Sequence, residues 1–163
     1  VQTCALPICL KMNKERTTMK CFMADTGLLI SHTFDENGIV SEEIYKKLML
    51  GKLAVNFGNI MENIVAQMLT ANGHSLYFYT NSSREDSESR MEIDFLVAKT
   101  SVTNKHNIYP LEIKSGKNYA LSSIKKFMKK FPDQLCEAFV FHEGEYKIQD
   151  GITFLPLFMI AGL

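Results

Sequence analysis

The spacing of apolar positions changes several times along the chain, between the periods of helices and of strands. Helical spacing, with an apolar residue at every third or fourth position, covers residues 52–71 and 118–130. Runs typical of strands, rich in aromatic and β-branched residues, cover residues 75–80, 91–98, 108–114 and 135–142. This order predicts an α/β fold with a mixed β-sheet core flanked by helices, in the order α-β-β-β-α-β.

The first 50 residues carry weaker signals. Residues 10–20 are polar and basic without a clear period. The sequence Asp-Thr-Gly at 25–27 predicts a turn, and residues 32–38 predict a loop. A serine followed by two glutamates predicts the start of a short helix over residues 41–50.

The composition is that of an ordinary globular domain. Of the 163 residues, 46% are hydrophobic and 22% are charged. The 18 basic residues balance the 18 acidic ones, which argues against tight, autonomous binding of nucleic acid and leaves room for a local basic patch. No apolar run approaches the ~20 residues that cross a bilayer, so we expect a cytoplasmic protein without a membrane partner. The cysteines show no zinc-type spacing and are expected to be reduced thiols: Cys4, Cys9, Cys21 and Cys136.

The beginning of the chain is unusual. Residues 1–8, which start Val-Gln-Thr-Cys, resemble the conceptual translation of a sequencing-library adapter, so we predict that they are an artefact. The alternative is a genuine apolar strand. With the artefact set aside, residues 9–50 are expected to be a helical or linker part of the domain, and residues 51–163 its core. The chain would then be a C-terminal fragment of a longer protein.

Two of the predicted strands carry charged side chains within otherwise apolar runs. Alternation places Asp94 beside Glu92 on one face of the first strand, and Glu112 with Lys114 on one face of the second. Buried carboxylates are costly unless a partner such as a divalent cation compensates them. If the strands are neighbours, a metal held there would suit phosphodiester hydrolysis, with the lysine stabilising the developing charge. Alternation assigns one shared opposite face to the apolar residues of the first strand: Met91, Ile93, Phe95 and Val97.

This combination resembles the active site of the PD-(D/E)XK nuclease superfamily. Asp94 matches the first acidic position, Glu112-Ile113-Lys114 matches the (D/E)-x-K element, and Glu62 matches a helix glutamate. Ile93 stands where the superfamily name has proline. The resemblance implies a restriction-endonuclease-like fold, with Glu62, Asp94, Glu112 and Lys114 as catalytic residues. It also implies Mg²⁺ or Mn²⁺ bound by Asp94 and Glu112, and DNA as the substrate.

A closer resemblance covers most of the chain. Residues 20–29 (KCFMADTGLL), 58–69, 91–98 (MEIDFLVA) and 110–116 (PLEIKSG) are similar to a domain of unknown function that follows the ATPase core in a group of prokaryotic AAA+ ATPases. The resemblance implies a missing N-terminal ATPase domain as a partner, and ATP bound only there. This chain has no G-x-x-x-x-G-K-[ST] motif.

Several residues near the motif are candidates for nucleic-acid contact: Ser115, Lys117, Lys125 and Lys126. The basic ones could follow a DNA backbone, but they equally suit a solvated helix face near its C-terminus. Ser115 equally suits a plain turn. The histidines fall in or near loops and receive no role: His32, His74, His106 and His142.

Two other functions stay open. The domain could be a catalytically silent DNA-binding or regulatory platform for the ATPase, with its charged residues held as a salt-bridged network. It could also be a protein-interaction domain, which an exposed apolar tail over residues 152–163 would support.

Overall fold

The computed structural model describes residues 2–4, 14–34, 42, 46, 50, 57–82, 89–98, 108–116 and 118–163. The described strands are β1 (Gln2–Cys4), β2 (Lys14–Met19), β3 (Tyr77–Asn81), β4 (Met91–Ala98), β5 (Ile108–Ile113), β6 (Ala138–His142), β7 (Lys147–Gln149) and β8 (Ile152–Pro156). The described helices are α1 (Thr26–Phe34), α2 (Phe57–Ala71) and α3 (Ser122–Lys130), with a 3-10 helix η1 (Leu157–Gly162) near the end.

These strands form one mixed sheet in the order β2-β1-β3-β4-β5-β6-β8-β7. Strands β3, β4 and β5 are an antiparallel meander. Helix α3 then connects β5 to β6, and these two strands are parallel. Strand β8 pairs with the other edge of β6 and is also parallel to it. The predicted α/β class and the predicted order from α2 to β6 are therefore confirmed. No helix of the described residues is long and apolar enough to span a bilayer.

Each face of the sheet is covered by a separate apolar layer. On one face, Ile124 and Phe127 of α3 pack with residues such as Ile93 and Val140. On the other face, Val65 and neighbouring residues of α2 pack with the sheet and η1. Burying large apolar side chains on both faces is the main stabilising term for such a fold, at ~25 cal/mol per Å² of apolar surface.

The tail of the chain belongs to this core. Ile152, Phe154 and Ile160 are almost fully buried, whereas Phe158 and Met159 of η1 are exposed. An exposed apolar patch spanning residues 152–163 is thus not what the structure shows, and this argues against a pure protein-interaction domain.

A β-bulge interrupts the pairing of β3 with β4. Tyr79 pairs with Ile93, whereas Tyr77 pairs with Leu96, so the register shifts by one residue and Asp94 lies at the shift. The prediction that four apolar residues of β4 share one face is wrong, because an extra residue reverses the facing of everything beyond it. The two layers divide them as follows: Met91 and Ile93 on the α3 side, Phe95 and Val97 on the α2 side.

The N-terminal part differs most from expectation. Strand β2 occupies a segment without apolar period, and helix α1 begins where a turn was predicted and continues through part of the predicted loop. Asp25 caps this helix, since its Oδ1 accepts a hydrogen bond from the Leu28 N–H at 2.8 Å. The predicted helix over residues 41–50 lies largely outside the described residues.

Strand β1 falls within residues 1–8. It pairs antiparallel with β2 and parallel with β3. The artefact origin of the segment and the division of the chain at residues 8 and 50 stay predictions. Two elements begin later than predicted, α3 at Ser122 and β6 at Ala138.

Candidate functional site

Asp94 lies at the bulge, where its carboxylate turns toward the neighbouring strand. Its Oδ2 accepts a hydrogen bond from the backbone N–H of Ile113 at 2.8 Å. Burial raises the pKa of Asp94 above its ordinary value, although the Ile113 N–H and the ammonium groups of Lys20 and Lys114 favour the ionised form. The bulge thus fixes a carboxylate of unusual basicity between two strands.

Glu112 is the most deeply buried charged residue that the structure describes, with 1% of its surface exposed. The Lys114 ammonium lies 2.6 Å from its Oε2. Neither carboxylate oxygen makes a well-oriented hydrogen bond within the described residues, although the backbone of Ile124 lies near enough to favour the charged form. Burial outweighs both partners and raises the pKa of Glu112.

The structure brings Asp94 and Glu112 to adjacent positions. Phe95 pairs with Leu111 across the β4–β5 ladder, so the next position sets Asp94 beside Glu112. The charge of Asp94 contributes to the raised pKa of Glu112, as expected of two nearby carboxylates. The neighbouring strands required by the sequence argument are therefore present.

Lys20 joins the remaining carboxylates. Its Nζ lies 2.5 Å from Oε1 of Glu92, 3.6 Å from Oε2 of Glu62 and 4.0 Å from Oδ1 of Asp94. Lys20 thus links Glu62 of helix α2 with Glu92 and Asp94 of strand β4. Lys20 itself was missed by the sequence analysis. Its only sequence signal is its position at the head of the segment that starts Lys-Cys-Phe-Met.

The charges of this cluster, Lys20, Glu62, Glu92 and Asp94, act strongly on one another. Burial and the nearby Asp94 raise the pKa of Glu62, and Lys20 only partly opposes them. Burial alone would lower the pKa of Lys20, but the hydrogen bond with Glu92 and the charges of Glu62 and Asp94 raise it. Lys20 is therefore held as an ammonium by the carboxylates that surround it.

A cleft opens beside this cluster. It has a volume of about 410 Å³ and is lined by Lys20, Glu62, Glu92 and Asn59, with apolar residues opposite. The cleft gives a ligand access to the Lys20 side of the site.

The site offers few side chains that could bind a metal ion, and these are carboxylates. Within the described residues, no group of three or more His, Cys, Asp or Glu side chains is arranged to hold a metal ion. Asp94 and Glu112 nevertheless provide hard oxygen donors on adjacent strands, and the buried oxygens of Glu112 lack well-oriented partners. Such oxygens fit a hard divalent cation bound by two carboxylates and completed by other oxygen ligands.

Three of the four predicted nucleic-acid contacts lie within the described residues. Lys125 makes an exposed ion pair with Asp150 at 2.7 Å. Lys126 lines a polar pocket with Arg90 and Glu92, at the start of α3. Ser115 is half-buried just after β5. Lys117 lies outside the described residues.

His142, which received no role from the sequence, is buried at the end of β6. Its Nδ1 lies 3.0 Å from the Tyr119 hydroxyl, and its Nε2 lies 3.1 Å from the carbonyl oxygen of Glu145. A carbonyl only accepts, so Nε2 carries a proton, and in the neutral imidazole Nδ1 then accepts from the Tyr119 hydroxyl. The backbone N–H of Lys114 donates to the Phe141 carbonyl at 2.8 Å, which brings this pair close to the Glu112–Lys114 side of the site.

The fold and these side chains define the chain as a mixed α/β domain in which the adjacent strands β4 and β5 carry the carboxylates Asp94 and Glu112, with Lys114 paired to Glu112. Residues 57–160 match a family model described as Domain of unknown function (DUF4143). Since the match covers more than half of the chain, the chain belongs to the DUF4143 family. Neither the curated proteins nor the solved structures contain a significant match to it.

Proposed function

We propose that this domain performs metal-dependent hydrolysis of phosphodiester bonds in DNA, with a site of the PD-(D/E)XK type. The observation that carries the proposal is Glu112, a buried carboxylate whose oxygens lack well-oriented hydrogen bonds, beside Asp94 and in contact with Lys114. A fold gains nothing in stability from such a group, because a buried charge with incomplete pairing is costly. Groups of this kind concentrate where chemistry is performed.

Each residue of the proposed site has a separate role. Asp94 and Glu112 would hold Mg²⁺ or Mn²⁺. When bound, the ion supplies a Lewis acid and a water of lowered pKa. The Lys114 ammonium would stabilise negative charge growing on the phosphate. Glu62 would act from α2, on the Asp94 side, and the Ile113 N–H keeps the Asp94 carboxylate oriented.

The same proposal places the domain in a larger protein. The resemblance to domains that follow an AAA+ ATPase core supports an N-terminal ATPase domain as the partner in the full-length protein, with ATP bound there. Ser115, Lys117, Lys125 and Lys126 are the proposed DNA contacts, and the cytoplasm is the proposed location.

A second candidate function is a catalytically silent platform that binds DNA or regulates the ATPase. One specific observation favours it: each of the four carboxylates already has an ammonium group within 4.0 Å, Lys114 for Glu112 and Lys20 for the other three. A self-sufficient network of ion pairs would need no metal.

The two candidates are separated by a cleavage assay on the 163-residue chain. Supercoiled and branched DNA are incubated with Mg²⁺ or Mn²⁺, and Asp94→Asn and Lys114→Met are compared with wild type. Glu143→Gln and Lys147→Met serve as matched controls, because both residues are exposed and lie outside the proposed site. Loss of a group that stabilises the transition state costs about 10²-fold or more in rate.

Metal-dependent cutting that falls by about this factor in both site variants, and in neither control, is the expected result. DNA binding without cutting in wild type would favour the platform. Cutting that survives in Asp94→Asn would rule out the proposed site even if a nuclease activity were present.

A further inference from the structure

Lys20 occupies the centre of the carboxylate cluster in a well-fixed position. Its ammonium contacts Glu92 and reaches Glu62 and Asp94, while only 21% of its side chain is exposed. The ammonium also lies 5.4 Å from the centroid of the Phe78 ring, within the range of a cation–π contact. An exposed lysine on a protein surface usually forms only weak, transient ion pairs. Lys20 instead lies within 4.0 Å of three carboxylates at once.

We propose that the Lys20 ammonium competes with a divalent cation for the Asp94 carboxylate. The inference rests on the proposed metal site at Asp94. When all three carboxylates around Lys20 are ionised, they carry three negative charges, and the ammonium compensates one of them. An ion that binds Asp94 must displace the ammonium or share its partner, so Lys20 sets the metal concentration that the site requires.

The position of Lys20 in the chain suggests how this competition could regulate metal binding. The DUF4143 match begins at residue 57, whereas Lys20 belongs to the segment that follows β2. The competing charge is therefore supplied by a segment that lies before the matched residues in the chain. Any rearrangement that withdrew the segment from the cleft would raise the affinity of the carboxylates for metal.

The test measures the binding of Mn²⁺ to the 163-residue chain at equilibrium, by electron paramagnetic resonance of the free ion. Wild type is compared with Lys20→Met and Lys20→Arg. Lys147→Met is the matched control, because it also removes an ammonium that rests on an aromatic ring, 4.5 Å from the centroid of Phe154, but far along the sheet order from Asp94.

Lys20→Met is expected to bind Mn²⁺ about tenfold more tightly or better, since a unit charge about 4 Å away acts strongly on an ion near a protein surface. Lys20→Arg keeps the charge and is expected to bind as wild type does, and Lys147→Met likewise. Equal or weaker binding by Lys20→Met overturns the inference, as does the absence of Mn²⁺ binding in every variant.

A second measurement covers the case in which Lys20→Met does not fold. The ammonium resonance of Lys20 in wild type is followed by NMR while Mg²⁺ is added. Release of its ion pairs should shift that resonance with the same midpoint as metal binding, and an unchanged resonance at saturation overturns the inference. Failure of the proposed function is distinguishable, because tighter Mn²⁺ binding by Lys20→Met without DNA cleavage would refute only the nuclease.

Discussion

Replacing Lys114 and replacing Glu112 should have opposite effects on the stability of the fold. Lys114→Met leaves the Glu112 carboxylate buried and without its cation. Breaking a fully buried pair costs roughly 3–5 kcal/mol, and we expect about 2–3 kcal/mol here because 22% of the Lys114 side chain is exposed. Glu112→Gln instead removes the charge that burial penalises, and the released ammonium can turn to water.

We expect Glu112→Gln to raise the free energy of unfolding by about 1–2 kcal/mol at pH 7, because it removes a buried charge; replacing a buried ion pair by uncharged groups can stabilise by about 1–4 kcal/mol, and the amide left in place keeps the gain small. The effect should depend on pH. Burial raises the pKa of Glu112 in the folded state, so the folded protein keeps this proton to higher pH than the unfolded chain does. Wild-type stability therefore falls as pH rises from about 4.3, the ordinary value for glutamate, through the folded-state pKa.

The assay is urea unfolding followed by circular dichroism, at pH 7 and near pH 4. Glu143→Gln is the matched control, because Glu143 is exposed. The advantage of Glu112→Gln should be present at pH 7 and should shrink toward zero near pH 4, where the carboxyl is mostly protonated in both states. A Glu112→Gln variant less stable than Lys114→Met at pH 7 would refute the reasoning, since it would show that the ionised carboxylate stabilises the fold.

Three further predictions concern stability and can be checked by the same unfolding measurement. Gly144→Ala should destabilise by about 1–3 kcal/mol, because its methyl group would lie 2.5 Å from Cε1 of His142; Gly162→Ala, with open space around it, should have little effect. Phe127→Ala should cost about 3–5 kcal/mol, since the ring is fully buried, and a cost under 1 kcal/mol would contradict the described core. Gly151→Ala should cost about 1 kcal/mol through its φ of 74°, although the site is otherwise roomy.

Helices and strands in which apolar residues recur at regular spacing could be predicted from the sequence. Strand β4 has the bounds that alternation gave it, and α2 ends near Asn72 and Gly73 as its closing signal indicates. These features depend on local sequence, because one apolar face per element is enough to define them. The candidate pair Asp94 and Glu112 followed from the same alternation, once their strands were taken as neighbours.

The bulge at Asp94 could not be predicted, because a register shift depends on the partner strand as much as on the strand that carries it. Lys20 was missed for a similar reason. Its carboxylate partners lie at least 42 positions further along the chain, and β2 before it has no apolar period. Helix α1 was taken for a turn since Asp25 serves equally in a turn and as a helix cap.

The order of the last three strands in the sheet makes the β7–β8 hairpin sensitive to proteolysis. Strand β8 lies between β6 and β7, although β7 precedes it in the chain, so the β7–β8 hairpin enters the sheet as one piece. A break at the Asp150–Gly151 turn would leave β8 held to the sheet by non-covalent contacts alone, and loss of β8 would make β6 the edge of the sheet. All five residues of β6 are buried, and exposed apolar edges of this kind recruit strands from other molecules. Limited proteolysis at that turn should therefore convert the protein into aggregates rather than into a smaller soluble domain.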